Sequence, residues 1–281
     1  MKHKLSHIGN KLARRVWKSA DGWSRHYWHD FPFGDAPRAD KNAYKKLWEA
    51  ERKSTYPEID AFEKSCGFAI DPEWFHNLAL QTQIVIKDSP LCYQHGRVLY
   101  AALRAYIEES GKLFLTILET GTARGFSATV MAKALQDAGA YGRIVTFDLL
   151  PHDAPMYWNC IADEGGPMTR RQLLAPWGDI VEPHVIFLET DSRIGISRMA
   201  TGTVDFAFLD GAHSYSDVMQ EFGAVAARQK SGDVIVFDDY SENVFPGLVR
   251  AVDEGCQRWG YKKEVIRSHD ARAYVIARKE K

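Results

Sequence analysis

The stretch LFLTILETGTARGFS, residues 113–127, decides the fold. Its first six residues form an almost continuous apolar run, which is typical of a parallel strand buried on both faces. The run stops at Glu119. Glycine allows a tight turn at Gly121 and a close approach of a ligand to the backbone at Gly125, and the exposed N–H groups of a following helix can bind a polar or anionic ligand end. The stretch therefore predicts a buried strand, a nucleotide-type loop and a helix.

The next two predicted strands also end in polar residues. Residues 142–147 lead into Asp148, roughly twenty residues after the glycine loop, where a carboxylate can accept hydrogen bonds from both hydroxyls of a ribose. Residues 185–188 lead into a polar run that includes Asp191 and Ser192, which we expect beside the base of the nucleoside. For Asp191 two interpretations stay open, a contact with adenine and the N-cap of the next helix.

Two apolar runs in the second half of the chain end in acid as well: residues 204–209 precede Asp210, and residues 234–237 precede Asp238 and Asp239. If both runs are neighbouring parallel strands, three carboxylates converge at one edge of the sheet. A single acid after a strand is often a turn residue. Three together repel one another unless a cation neutralises them, and carboxylates are the ligands of hard divalent cations.

His213 lies three residues beyond Asp210 and is the candidate proton acceptor. A cation lowers the pKa of a bound hydroxyl group, and an imidazole can then remove the proton. Asp239 and a metal-bound water are the alternative bases. The pattern indicates an enzyme in which a hydroxyl group attacks with the help of a metal.

Together these motifs resemble the class I S-adenosylmethionine-dependent methyltransferases. The resemblance covers roughly residues 113–278 and is strongest to the metal-dependent sugar O-methyltransferases that decorate macrolide and aminocoumarin antibiotics. It is more distant to the catechol O-methyltransferases, which usually carry a lysine where His213 stands and an asparagine where Asp239 stands. The implied fold is α/β: a Rossmann-like, mostly parallel sheet of seven strands that ends in an antiparallel C-terminal hairpin.

The resemblance, with the loop spacing, also predicts the site. Residues expected to bind S-adenosylmethionine are Glu119, Thr120, Gly121, Thr122, Ala123, Gly125, Ser127, Asp148, Asp191, Ser192 and Asp210. Magnesium, or another divalent cation, is expected on Asp210, Asp238 and Asp239, with His213 as the catalytic base. The implied reaction is methylation of a hydroxyl on a sugar, a glycosylated natural product or a glycan.

Vicinal hydroxyls are the expected feature of the acceptor, because two adjacent oxygens can chelate one cation. Methylation of a catechol or phenol is the alternative reaction. A non-catalytic scaffold that only binds the cofactor is the alternative of another class. No nucleic-acid partner is expected, and a homo-oligomer stays open.

Composition and charge describe the rest of the chain. The 281 residues carry a net charge of −1, and the four cysteines are scattered without metal or dithiol spacing, so we expect reduced cysteines and a cytoplasmic protein. Residues 1–90 are predicted as a helical N-terminal extension, a candidate lid or oligomer contact, and residues 91–281 as the methyltransferase domain. The first 25 residues are basic, and the expected helix there either docks on the protein or rests on anionic membrane.

The long connection at residues 149–183 is expected to be a lid over the substrate, because loops of that length are often functional. Tyr157 and Trp158 are its predicted stacking surfaces. Arg170 and Arg171 are interpreted either as ligands of an anionic group on the acceptor or, preferably, as solvated surface charges.

Overall fold

The core of the molecule is a single mixed β-sheet. The computed structural model describes residues 33–200, 202–268 and 272–280, and within these residues the sheet has seven strands. The strands are β1 (Phe114–Thr120), β2 (Tyr141–Asp148), β3 (Val185–Glu189), β4 (Phe206–Leu209), β5 (Val234–Phe237), β6 (Tyr261–Arg267) and β7 (Ala273–Lys279).

The strand order is β3-β2-β1-β4-β5-β7-β6. The first five strands in this order pair in parallel, whereas β7 pairs antiparallel with both β5 and β6. The register pairs Thr120 with Leu209 and Leu209 with Phe237. These three residues end β1, β4 and β5, so the glycine loop after β1 and the acids after β4 and β5 leave the sheet at one edge. The predicted Rossmann-like fold and its antiparallel C-terminal hairpin are confirmed.

Helices cover both faces of the sheet. Those of the described residues are α1 (Lys41–Glu51), α2 (Pro57–Cys66), α3 (Pro72–Thr82), α4 (His95–Ser110), α5 (Phe126–Asp137), α6 (Arg170–Leu173), α7 (Gly178–His184), α8 (Ser192–Arg198), α9 (Tyr215–Ala226) and α10 (Pro246–Trp259). Local sequence explains several ends. Ser214 caps α9 by accepting a hydrogen bond from the Asp217 amide, and α10 ends where Gly260 adopts a left-handed conformation.

Alternate residues of the strands feed two cores. On one face, Ile117 and Phe206 pack with α1 to α5, and on the other face Leu118 and Ala207 pack with α8, α9 and α10. The α1 to α3 helices share their core with α4 and α5. The core that α1 to α3 share with α4 and α5 includes residues on both sides of position 90. The division of the chain at residue 90 stays a prediction.

The connection between β2 and β3 is folded rather than open. It contains two 3₁₀ helices, the short helices α6 and α7, and an antiparallel bridge between Met156 and Met168. Trp158 is fully buried in a small core of its own, and its indole N–H donates to the Met168 carbonyl at 2.7 Å. The prediction that Trp158 is a stacking surface of a lid is therefore wrong. An aromatic residue in a polar loop has no local signal that separates packing from ligand contact.

Some predictions fall outside the described residues. The basic N-terminal helix with its membrane or docking role lies in residues 1–32, and most of the turn between β6 and β7 lies in residues 269–271. In the part of the chain that the structure describes, no helix combines the length and the apolar composition needed to span a membrane.

Replacing Trp158 by alanine tests its structural role. We expect Trp158→Ala to lower the free energy of unfolding by about 3–5 kcal/mol, because the change empties a buried aromatic site. The neighbouring Tyr157→Ala, at a half-buried position, should cost about 1 kcal/mol or less. Chemical denaturation measures both. Equal, small losses would contradict the buried role and restore the lid interpretation.

Candidate active site

The loop after β1 packs directly on the end of β4. Gly121 has a φ of +88°, and a Cβ atom there would lie 2.2 Å from the carbonyl oxygen of Asp210. Only glycine meets both demands. The contact brings the glycine loop and the first acid of the second half of the chain to the same place.

Glu119 lies beneath this loop and is fully buried. One carboxylate oxygen accepts a hydrogen bond from the Ser127 hydroxyl, and Oε2 has no hydrogen-bond partner. Burial raises the pKa of Glu119 to about 7. A buried carboxylate oxygen without a partner is costly, and a ligand cation would satisfy it. The ammonium group of the methionine end of S-adenosylmethionine is such a cation, so this residue fits the predicted cofactor.

Asp148 lies beside the loop at the end of β2. Its Oδ2 accepts from the Ala123 amide at 2.6 Å and its Oδ1 from the Leu150 amide at 2.8 Å. These two bonds hold Ala123 at a φ of +45° and fix the carboxylate. Each oxygen keeps a further lone pair, so the carboxylate can still accept from ribose hydroxyls.

A pocket of about 430 Å³ opens at this edge of the sheet. It has the size of a small-molecule site. Five of the predicted cofactor residues line it, namely Gly121, Ala123, Asp148, Asp191 and Ser192. Phe33 also lines it; no pattern in the sequence pointed to this residue.

Three other predicted cofactor residues, Thr120, Thr122 and Gly125, do not line the pocket. Thr120 donates to the buried Glu221 at 3.0 Å, and the Thr122 hydroxyl pairs with that of Thr146. Gly125 also differs from the prediction, because Leu174, rather than a ligand, makes the close approach: a Cβ atom would lie 2.6 Å from Leu174 Cδ1. These three residues contact other parts of the protein and shape the loop on the side away from the pocket.

Asp191 is the N-cap of α8, accepting from the Arg193 amide at 2.9 Å, and it also lines the pocket. Its contact with adenine stays a prediction. Next to Asp191, the Ser192 hydroxyl donates to Glu221. Glu221 thus joins the ends of β1 and α8 under the pocket, a role that its position in a helical pattern did not indicate.

Arg170 is buried, with only 2% of its surface exposed. Its Nε donates to the Ala123 carbonyl at 2.9 Å and Nη2 to the Leu150 carbonyl at 3.3 Å, and Nη2 lies 3.9 Å from Asp148 Oδ2. The preferred interpretation of Arg170 as a solvated charge is therefore wrong. Arg171 beside it is exposed and pairs with Asp153. Adjacent arginines of one short helix cannot be told apart without the tertiary structure.

An acidic cluster lies next to the pocket. Asp210, His213 and Asp239 each place one potential ligand atom so that the three atoms lie within 4.8 Å of one another. His213 Nε2 is 3.0 Å from Asp239 Oδ2 and 3.8 Å from Asp210 Oδ1. The 3.8 Å contact with Asp210 is too long for a hydrogen bond, and the 3.0 Å contact with Asp239 is an ion pair without hydrogen-bond geometry.

The charges of the cluster are strongly coupled. The two neighbouring carboxylates raise the pKa of His213 to about 10, and burial raises the pKa of Asp210. Burial acts in the same direction on Asp239, but His213 and the guanidinium of Arg272, whose Nε is 2.9 Å from Asp239 Oδ1, hold the pKa of Asp239 below its usual value. In the cluster, burial disfavours the charged form of the carboxylates, and nearby positive charge stabilises that form.

Asp238 lies apart from the three-residue cluster. It is buried, its Oδ1 accepts from the Asp239 amide, and its Oδ2 lies 3.8 Å from Nδ1 of the buried His95. Burial raises the pKa of Asp238 well above its ordinary value, and the charges of Asp210 and Asp239 act in the same direction. The structure therefore brings two of the three predicted metal ligands together with His213 and places Asp238 behind them.

Two further residues complete the cluster without any signal in the sequence. The ring of Phe245 stacks on His213 at a centroid distance of 4.3 Å, and Arg272 follows the turn between β6 and β7. A larger open groove of about 1240 Å³ runs beside β3, lined among others by His152 and Arg171. It contains none of the predicted site residues, so we place the active site at the smaller pocket.

Comparison with known proteins finds a family match for part of the chain and similar folds. Residues 118–240 match the family model of a methyltransferase domain. The cofactor-bound protein Rv0187 from MTB shares the fold with a TM-score of 0.54 at 18% identity, over 82% of this chain and 100% of that chain. The O-methyltransferase NovP gives a TM-score of 0.52 at 15% identity, over 70% of this chain and 84% of that chain. No protein of curated function matches the chain by sequence.

Residues 118–240 therefore match a methyltransferase domain, and the chain shares the fold of these two structures. The predictions of a methyltransferase and of an enzyme are confirmed over these residues by the family match, and S-adenosylmethionine as the cofactor stays a prediction. At 15% identity, the likeness to NovP concerns the fold.

Arg170 should control cofactor affinity. We expect Arg170→Met to weaken the binding of S-adenosylhomocysteine about tenfold or more. Ala123 and Leu150, whose amides hold the Asp148 carboxylate, each lose the charge-assisted hydrogen bond that their carbonyl accepts from Arg170. Arg171→Met is the matched control and should bind as the wild type does. Calorimetry measures both, and Arg170→Lys should fall between them. A folded Arg170→Met protein with wild-type affinity would show that Arg170 is dispensable.

Cofactor binding should depend on pH through Glu119. With its pKa near 7, the carboxyl group is largely neutral below this pH and charged above it. The affinity for S-adenosylhomocysteine should therefore rise between about pH 6 and pH 8, as the carboxylate becomes able to pair with the ligand ammonium. In Glu119→Gln the rise should disappear. A pH dependence that persists in this variant would assign it to another group.

Proposed function

We propose that this protein is a magnesium-dependent O-methyltransferase that acts on a hydroxyl of a sugar, a glycosylated natural product or a glycan. One observation carries the proposal: Asp210, His213 and Asp239 converge within 4.8 Å beside the loop that would hold the methyl donor. Methyl transfer from a sulfonium is an in-line displacement, so the acceptor oxygen must lie next to the methyl carbon and must lose its proton. A metal-binding cluster next to the donor pocket suits both demands.

The cluster suits a hard divalent cation. Two carboxylates, one of them with a pKa raised by burial, face a buried imidazole nitrogen that has no hydrogen-bond partner. Burial makes such carboxylates unfavourable when they are charged and alone, and a cation removes that cost. A bound magnesium ion would supply positive charge that lowers the pKa of a coordinated hydroxyl and would favour acceptors with two adjacent oxygens.

His213 is the proposed base. Phe245 stacks on the imidazole and holds its plane, so that Nε2 is directed toward the carboxylates. While both carboxylates act on it, the pKa of His213 is near 10 and the ring carries a proton. The ring can accept a proton only when Asp210 and Asp239 are engaged with a cation, which couples the base to the metal. Asp239 and a metal-bound water remain the alternative bases.

Several other predictions also stay proposals. A catechol presents the same pair of adjacent oxygens, whereas a phenol presents only one, so a panel of acceptors must include sugars, catechols and phenols. The cytoplasmic location and a homo-oligomer also stay predictions. A membrane contact of the basic N-terminus stays one too, because this segment lies outside the described residues.

The roles of the cluster residues separate in mutant kinetics. His213→Ala should lower turnover by roughly two to four orders of magnitude, the usual contribution of a general base, while the affinity for S-adenosylhomocysteine stays unchanged. Asp210→Ala and Asp239→Ala should abolish the response of methyl transfer to added magnesium. The exposed Asp179→Ala is the control and should keep both.

A methyl-transfer assay with and without EDTA, over sugars and catechols, measures these effects. Transfer that is insensitive to EDTA would contradict the metal. A loss of cofactor affinity in His213→Ala as large as the loss of rate would assign His213 to the structure of the pocket. Cofactor binding without transfer to any acceptor would favour the scaffold alternative.

A further inference from the structure

Two cationic side chains near the acidic cluster do not line the cofactor pocket. The first is Arg272, whose Nε pairs with Asp239 Oδ1 at 2.9 Å and whose side chain is 30% exposed. Among the described residues, its terminal nitrogens Nη1 and Nη2 have no hydrogen-bond or ion-pair partner. An arginine donates through five N–H groups, so the outer edge of this guanidinium remains free to bind a ligand.

The backbone around Arg272 is well held. The Arg272 carbonyl accepts from the Ser268 amide at 2.9 Å, and the Tyr240 amide, directly after the pair Asp238-Asp239, donates to the Ala273 carbonyl at 3.0 Å. The guanidinium is therefore attached to the same strand ends as the cluster. A fixed position of this kind is what recognition of a specific group requires.

The second cation is Lys87. The buried side chain of Asn159 holds the backbone of Ile86, the residue before Lys87. Asn159 Oδ1 accepts from the Ile86 amide at 3.1 Å, and Asn159 Nδ2 donates to the Ile86 carbonyl at 2.9 Å. Lys87 itself is exposed, and no described residue forms a hydrogen bond or ion pair with its ammonium group. A buried asparagine thus positions the backbone of a lysine whose charged group is free.

Arg272 lies beside Asp239, and the charges of both residues act on Lys87. Partial burial, and then the charge of Arg272, lower the pKa of Lys87, whereas the charge of Asp239 raises it. Two cations held close together repel unless an anion lies between them. When a divalent cation occupies Asp210 and Asp239, their two negative charges are balanced. Arg272 and Lys87 then remain as an excess of positive charge beside the cluster.

We infer that the acceptor carries an anionic group, a carboxylate or a phosphate, next to its hydroxyls, and that Arg272 and Lys87 bind this group. The inference rests on the proposed function, since it concerns the acceptor of that same site. Guanidinium and ammonium groups with free N–H donors are the side chains that bind such anions. The acceptor class is therefore a hydroxylated acid, such as a uronic-acid-type sugar or a dihydroxybenzoate, rather than a neutral diol.

The test compares matched ligands that differ only in the anionic group. The full-length protein, loaded with S-adenosylhomocysteine and magnesium, is titrated by calorimetry with 3,4-dihydroxybenzoate against catechol, and with methyl glucuronide against methyl glucoside. The acid of at least one pair should bind about tenfold more tightly than its neutral partner, the usual effect of a charge-assisted hydrogen bond. The difference should shrink at high salt.

Variants assign the difference to the cations. Lys87→Met should remove most of the preference for the acid and leave the affinity for the neutral partner unchanged, and Lys87→Arg should restore it. Lys46→Met, at an exposed position of α1, is the control and should keep the preference. Because Lys87 is exposed, its replacement leaves the core intact.

The outcomes separate this inference from the proposed function. Neutral diols that bind only with magnesium, and as tightly as the acids, would overturn the inference and support the metal site. Acids that depend on Lys87 but bind equally well with EDTA would support the anion site and contradict the metal. Failure of every acid and every diol to bind would overturn both.

Discussion

The site depends on the parallel pairing of β1, β4 and β5. Their register aligns Thr120, Leu209 and Phe237, so the residues that follow each strand leave the sheet side by side. Gly121 tightens this arrangement, because the absence of a side chain lets the loop lie on the Asp210 carbonyl. The candidate cofactor pocket and the acidic cluster are adjacent for this reason. A shift of register by one residue would turn every acid to another face of the sheet.

The burial of charge is the second constraint. Glu119, Asp210 and Asp238 all have a raised pKa because they are removed from water and lie near other carboxylates. Arrangements of this kind are unfavourable for folding and are typical of functional sites. The cluster is compensated from two directions, by His213 between Asp210 and Asp239 and by Arg272 behind Asp239. The carboxylates of Asp210 and Asp239 lie next to the guanidinium of Arg272, whose outer N–H groups are free of partners among the described residues. This arrangement is consistent with a metal and an anionic acceptor binding together.

The sequence predicted most of the fold and the location of the site. Apolar runs that end in acid identify parallel strands and their carboxyl ends, and the strand bounds agree within a few residues. Local pattern could not identify the residues that act through tertiary contacts. Trp158 and Arg170 look like ligand contacts or surface charges in a polar segment, yet packing buries both. Phe245 lies 32 residues after His213, on which it stacks, and Arg272 lies 33 residues after Asp239, with which it pairs, so no local spacing connects either pair.

The central claim is that Asp210 and Asp239 share one divalent cation beside the bound cofactor. A crystal structure of the full chain with S-adenosylhomocysteine and Mn²⁺ tests it most directly, because the anomalous signal of manganese locates the ion without reference to the protein model. The account predicts an anomalous peak at about 2.0–2.3 Å from a carboxylate oxygen of each residue. Bound S-adenosylhomocysteine with no peak between these two residues would contradict it.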